Sequence, residues 1–151
     1  MTEIPMDYRI GDNAYLAAGK QEGIETLVNR FYDLMDSRTD ASSLRQLHPD
    51  SLDRARQRLV WFLSGWLGGP ALYQQNVGNQ SLAMSHAQVA VTRDSMQAWL
   101  DCMSQALQDC GYPQSFHDYL MHRFTTPAHS MLMMAEYQAR PTSTTPSFSA
   151  V

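Results

Sequence analysis

The side chains in this 151-residue sequence best suited to metal or proton chemistry are five histidines, at positions 48, 86, 117, 122 and 129. Imidazole titrates near neutral pH, and its neutral nitrogen ligates transition metals. Their spacing excludes one large class of enzyme. No two of them form the His-Glu-x-x-His pattern that puts two zinc ligands and a general base on one helical face. A glycine-rich phosphate loop, a Cys-x-x-Cys pair and a Gly-x-Ser-x-Gly elbow are missing as well. Cys102 and Cys110 lie in a segment that reads as helix, about 12 Å apart along its axis, which is beyond disulfide reach. They match no zinc spacing and read as small buried hydrophobes. His86 is left, alone in an irregular stretch between two apolar helical segments. Its two readings are a structural histidine and a ligand.

A single ligand works only if surrounding elements hold it in place, and those elements are helical. No alternating run of β-branched and aromatic residues and no Asn-Gly or Asp-Gly hairpin turn occurs. The pattern predicts a short helix over 13–18 that stops at Gly19. A longer one over 21–36 carries Ile24, Leu27, Val28, Phe31, Tyr32 and Met35 at offsets of three and four. The polar stretch 37–43 reads as a loop. Pro49 is expected to open the next helix, with Leu52, Ala55, Leu59, Phe62, Leu63 and Trp66 on its buried face. Gly68-Gly69-Pro70 stops it, and 71–91 reads as loop and one-turn helices around His86. Thr92 is an expected N-cap for a helix presenting Trp99, Met103, Ala106, Leu107 and Cys110 and ending at Gly111. Pro113 opens a last helix bearing Phe116, Leu120, Phe124, Ala128 and Leu132, with a kink expected at Pro127.

Composition bounds the rest. With 44% of positions hydrophobic, the chain has material for one core; we expect a single domain over 1–138, and a disordered Ser, Thr and Pro-rich tail over 139–151. The net charge of −4, with 11 Lys and Arg in no block, argues against a nucleic-acid partner. No apolar run approaches the roughly 20 residues that span a bilayer, and the first residues lack a signal-peptide layout. A cytoplasmic protein without membrane association is the expectation.

Several blocks taken together carry a family resemblance: Arg30-Phe31-Tyr32, Leu47-His48-Pro49, Arg58-Leu59 through Phe62-Leu63 to Trp66 and Gly68-Gly69-Pro70, then Tyr73, Met84-Ser85-His86, and Arg93-Asp94 followed by Ala98-Trp99-Leu100. In this order and spacing the sequence resembles the group II truncated haemoglobins over about residues 12 to 135. The resemblance implies an all-α fold, a two-over-two helical sandwich enclosing haem b, with His86 as proximal iron ligand. It implies that Tyr32, His48 and Trp99 line the distal side. Ala55 falls where other haemoglobins often carry a distal histidine or glutamine. Leu59, Phe62, Leu63, Val89 and Val91 would touch the porphyrin, and Tyr73 would reach a propionate.

Phenol, indole and imidazole are donors of the kind that steady a partly charged diatomic ligand. Tyr32 and Trp99 also lie on apolar stripes, where the bland reading is core packing, and His48 before Pro49 could be a loop residue. The expected function is binding of O2, NO or another small gas for redox, NO or peroxide chemistry rather than bulk delivery, with an unidentified reductase supplying electrons and a homodimer admissible. A gas sensor acting through a separate partner, or a haem-free helical interaction module, are the competing readings. The fold alone does not choose among them.

Overall fold

The computed structural model describes residues 7–78 and 91–139, and all regular structure among them is helical. A short helix, α1 (Asn13–Ala17), leads through Gly19 into α2 (Lys20–Ser37). The stripe read from the sequence of α2 is the buried one: Ile24, Leu27, Val28 and Phe31 are fully enclosed, and Tyr32 and Met35 nearly so. α6 (Arg93–Asp109) starts where the sequence places its cap. The Thr92 hydroxyl accepts from the Ser95 amide at 3.1 Å, and the Ser95 hydroxyl accepts from the Thr92 amide at 2.8 Å. This reciprocal box satisfies two N–H groups that a helix start otherwise leaves unpaired. α7 (Gln114–Ala139) runs as one helix through Pro127.

Two expectations fail between α2 and the next long helix. The stretch 37–43 contains a single 3-10 turn, Thr39–Ala41, and the start of a short helix, α3 (Ser42–Arg45), which buries Ala41 and Leu44. α4 spans Asp53–Trp66, so Pro49 does not open it. The cause is Arg45, whose guanidinium donates to the carbonyls of Pro49 at 2.9 Å and Asp50 at 2.8 Å. Those carbonyls are turned back toward α3 and are not free to start a helix. After α4 come the glycine stop and the one-turn α5 (Leu72–Asn76). The tail expected over 139–151 lies outside the described residues beyond Ala139.

α2 packs against both α4 and α6, and α6 packs against α7. The fourth side is closed by aromatic stacking of Trp66 on Phe124 at 4.8 Å, and by Arg123, which donates to the Trp66 carbonyl at 3.0 Å. This is the two-over-two layout: α2 and α4 form one layer, α6 and α7 the other. No helix among the described residues is long and apolar enough to cross a membrane.

The glycine stop does more than end α4. Gly68 has φ +97°, and a Cβ there would strike the Gly11 carbonyl; one on Gly69 would land in the Tyr15 ring. The N-terminal segment lies against this corner, with the Tyr15 amide donating to the Leu67 carbonyl at 3.0 Å. Gly68→Ala should therefore combine a left-handed backbone penalty with overpacking, about 2–5 kcal/mol together. Gly111→Ala, at φ +79° with open space around it, should show the backbone penalty alone, about 1–2 kcal/mol. Urea unfolding of both variants checks this, and equal losses would mean that the Gly11 contact is not a constraint.

Candidate functional site

A cavity of about 230 Å³ opens between the two layers. Leu44, Leu47, Leu59, Phe62, Val91, Met96, Ala128 and Met131 form its apolar walls, and Ala55 leaves one stretch of α4 unobstructed. Tyr32, His48 and Trp99 enter it as polar groups, together with Arg58, Tyr73 and Ser95. Tyr32 comes from α2, His48 from the segment after α3, and Trp99 from α6. They are brought together by Phe31, which meets Tyr32 edge-on at 4.9 Å and Trp99 at 5.1 Å. Tyr32 in turn meets the His48 ring at 6.0 Å, and Trp99 is steadied from behind by Phe124 at 5.0 Å.

Each group has a definable protonation role. Tyr32 is 6% exposed, and burial holds its phenol well above the ordinary tyrosine value, with the nearby Arg56 opposing the shift. It is a neutral O–H donor throughout the physiological range. His48 Nδ1 lies 3.0 Å from the Leu44 carbonyl. A carbonyl only accepts, so Nδ1 carries a proton; in the neutral ring Nε2 is then an acceptor, and it becomes a donor only in the imidazolium form. The half-buried Trp99 indole N–H can only donate.

The family comparisons agree with this geometry. A bacterial-like globin family model matches residues 13–133. A group 2 truncated hemoglobin, YjbI, of Bacillus subtilis (strain 168) is 29% identical over 128 residues, covering 85% of this chain and 95% of the relative. Among solved structures, the cold-adapted truncated hemoglobin of the Antarctic marine bacterium Pseudoalteromonas haloplanktis TAC125 superposes with a TM-score of 0.75 at 34% identity, covering 79% of this chain and 96% of that one. The group II truncated hemoglobin of Bacillus anthracis gives 0.73 at 30%, covering 86% and 93%. The chain is a bacterial-like globin of the group II truncated kind. Membership carries haem-based binding of oxygen or a similar small ligand.

In this globin the cavity unites Tyr32, His48, Leu59, Phe62, Tyr73, Val91 and Trp99 from the residues singled out in the sequence. His86 and Val89 lie outside the described residues. Leu63 is not among the cavity residues and is fully buried in the core. At about 100° per residue it is turned roughly 80° from Ala55 around α4, whereas Arg58, Leu59 and Phe62 stay within about 60° of Ala55. Sequence reasoning gave no cavity role to Arg58, Leu44, Leu47, Ser95, Met96, Ala128 or Met131. Arg58 had a signal, being a basic residue on the apolar stripe of α4. Arg45 had none, because its partners are mainly backbone carbonyls.

The residues present fit a haem. The walls suit the faces of a macrocycle, and Arg58 is a cation without a hydrogen-bond or ion-pair partner among the described residues, suited with Tyr73 to carboxylates at its edge. A second constellation does not form a site. The Ser104 hydroxyl is 2.8 Å from His117 Nε2, and His117 Nδ1 is 2.9 Å from Asp118 Oδ1, the connectivity of a nucleophile relay. Ser104 lies inside α6, where backbone N–H groups are committed to the helix ladder and offer no oxyanion donors. The set joins α6 to α7.

Three acids, the buried Tyr32 and Cys102 and the half-buried Tyr112, should shape stability at high pH. Tyr32 is raised, the Cys102 thiol is pushed up to about 11 and Tyr112, whose hydroxyl donates to the Ala18 carbonyl, is pushed up to about 12, each chiefly by burial. The fold keeps these protons at pH values where the unfolded chain, titrating near 9 to 10, releases them. Their contribution is therefore fully present below about pH 9 and is lost as pH rises through 11 and 12. Tyr32→Phe should make the alkaline fall shallower by up to about 1.4 kcal/mol per pH unit between 10 and 12. Urea midpoints across that range test it; an unchanged slope would show that Tyr32 titrates as freely in the fold as in the unfolded chain.

Proposed function

We propose that this globin binds haem b in the cavity with His86 as its axial ligand, and retains O2 against Tyr32, Trp99 and His48 for redox chemistry rather than for bulk delivery. The observation that carries this reading is the convergence of two neutral donors and one titratable group in a cavity whose walls are mostly apolar. Haem, when bound, would supply a redox-active iron able to take up a diatomic ligand.

The chain's own residues then do three things. Leu59, Phe62, Val91 and Met96 exclude water, which strengthens every polar contact inside. Trp99 and Tyr32 donate to a ligand that gathers negative charge, and as both are neutral they do so without losing a proton. His48 accepts in its neutral form and donates once protonated. Several donors on one small ligand favour slow release, which suits turnover of the retained O2, for example in oxidising NO, or reduction of peroxide. The electrons would come from a separate reductase. Arg58 and Tyr73 would hold the propionates.

Addition of haemin should give an intense Soret band in the wild type, and most of it should be lost or shifted in His86→Ala. A wild-type spectrum and haem affinity in that variant would remove His86 as the ligand. A hydrogen bond to a partly charged acceptor is worth about 1.5–3 kcal/mol, so Trp99→Phe should speed O2 release about 10- to 150-fold by stopped flow. An unaltered rate would remove Trp99 from the distal side.

The His48 tautomer sets the sign of a pH effect. Release should slow as pH falls through the usual histidine range, about 8 to 5, because the imidazolium adds a donor. His48→Phe should flatten that profile. Faster release at low pH in the wild type would be the contrary result.

A further inference from the structure

Tyr32 is the most buried of the three candidate donors in the cavity, and rings and a guanidinium both meet it. It meets the Phe31 and His48 rings edge-on. A guanidinium lies over the ring: Arg56 of α4, next to cavity-lining Ala55, places its Cζ 5.7 Å from the Tyr32 ring centroid. Arg56 Nη1 donates to the Asn29 carbonyl at 3.0 Å and to Asn29 Oδ1 at 3.2 Å, and Nη2 donates to Asp33 Oδ1 at 2.9 Å. Asn29 and Asp33 flank Tyr32 on α2, one turn before it and one residue after it. The fork thus ties α4 to the very turn of α2 that presents the phenol.

This arrangement is poorly explained as a stabilising ion pair. Asp33 is 58% exposed, and pairs so open to solvent add little. It is better explained by what the planar fork covers. A buried tyrosine on a helix has few staggered orientations, and the guanidinium occupies space over the ring into which the side chain would otherwise turn. A cation over an aromatic face is also attractive in itself, and it makes the phenol O–H a stronger donor. Among the other groups near Tyr32, His48 is titratable and Asp33 is neutralised by Arg56.

We propose that Arg56 is a positioning residue for Tyr32: anchored on Asn29 and Asp33, its guanidinium covers the ring, holds the hydroxyl in the cavity and so sets how long a diatomic ligand is retained. This rests on the reading of Tyr32 as a ligand donor. Lysine cannot replace it, because a single ammonium cannot reach the Asn29 and Asp33 acceptors in one plane while covering the ring.

The test uses the full chain with Arg56→Met, Arg56→Lys and Asp33→Ala, each with and without Tyr32→Phe. Nuclear Overhauser contacts from the Tyr32 ring to the His48 and Phe31 rings report its position, and are read on the chain both haem-free and haem-loaded. Stopped-flow O2 release reports the consequence. Arg56→Met should weaken the ring contacts and speed release about 3- to 30-fold. Asp33→Ala, at an exposed site that leaves the core untouched, should act in the same direction by less, and Arg56→Lys should restore less than half of the loss. In the Tyr32→Phe background none of the three should alter release further. Intact ring contacts in Arg56→Met, or an equal acceleration without the Tyr32 hydroxyl, would overturn the proposal. If Tyr32→Phe alone leaves release unchanged, the donor role of Tyr32 fails, and the ring contacts alone then decide whether Arg56 positions it.

Discussion

Phe31 is the contact on which the rest of the site depends. It is fully buried on α2 and touches Tyr32 on its own helix and Trp99 on α6. The donors therefore stand where they do because α2 packs against α4 and α6 at once. The contacts continue without a break from Trp99 through Phe124 to Trp66 and Phe62, ending on Tyr73 at the far side of the cavity. Edge-on and stacked ring pairs of this kind add to the burial of the rings a preference for particular angles. They give a cavity with defined walls in a domain that would otherwise close its core.

Keeping such a cavity polar on one side carries a desolvation cost, which falls on the groups inside it. The chain limits that cost by using donors that are neutral. Its charges are held mostly at the rim, where they steer backbone and side chains from outside. Arg45 gathers the carbonyls of the segment carrying His48 and pairs with Asp36 of α2 at 2.6 Å. Arg123 lies 4.0 Å over the Trp66 ring while bonding the Trp66 carbonyl. Arg56 does the same work beside Tyr32. In each case one guanidinium makes two or more contacts at once, a demand its planar fork meets better than an ammonium does.

The two glycines after α4 belong to the same logic. They let the N-terminal segment approach the backbone closely at Gly11 and Tyr15, so the end of α4 that carries Phe62 and Trp66 is fixed from outside the cavity. Thr92 and Ser95 fix the start of α6 on the opposite layer. The cavity is bounded by two helix ends whose positions are set by local chemistry, and by long helices whose faces are set by burial.

That division tracks what could be read from the residues alone. Periodicity in α2, α4 and α6, the glycine stop and the Thr92 cap are local patterns, with their cause within one or two turns of the residue concerned, so the sequence by itself determined the all-helical architecture and most helix limits, while the candidates Tyr32, His48 and Trp99 came from the order and spacing of the family blocks. It did not determine that Pro49 stays outside α4, because the cause is an Arg45 fork closing on backbone carbonyls that have no residue-type signature. Nor could it separate Leu59 from Leu63, since both fall on one apolar stripe and only the tilt of α4 against its neighbours decides which faces the cavity. The roles proposed for Arg56 and Arg58 likewise rest on tertiary structure: an arginine on an amphipathic helix reads as solvated until the neighbouring helix and the cavity show what lies beside its guanidinium.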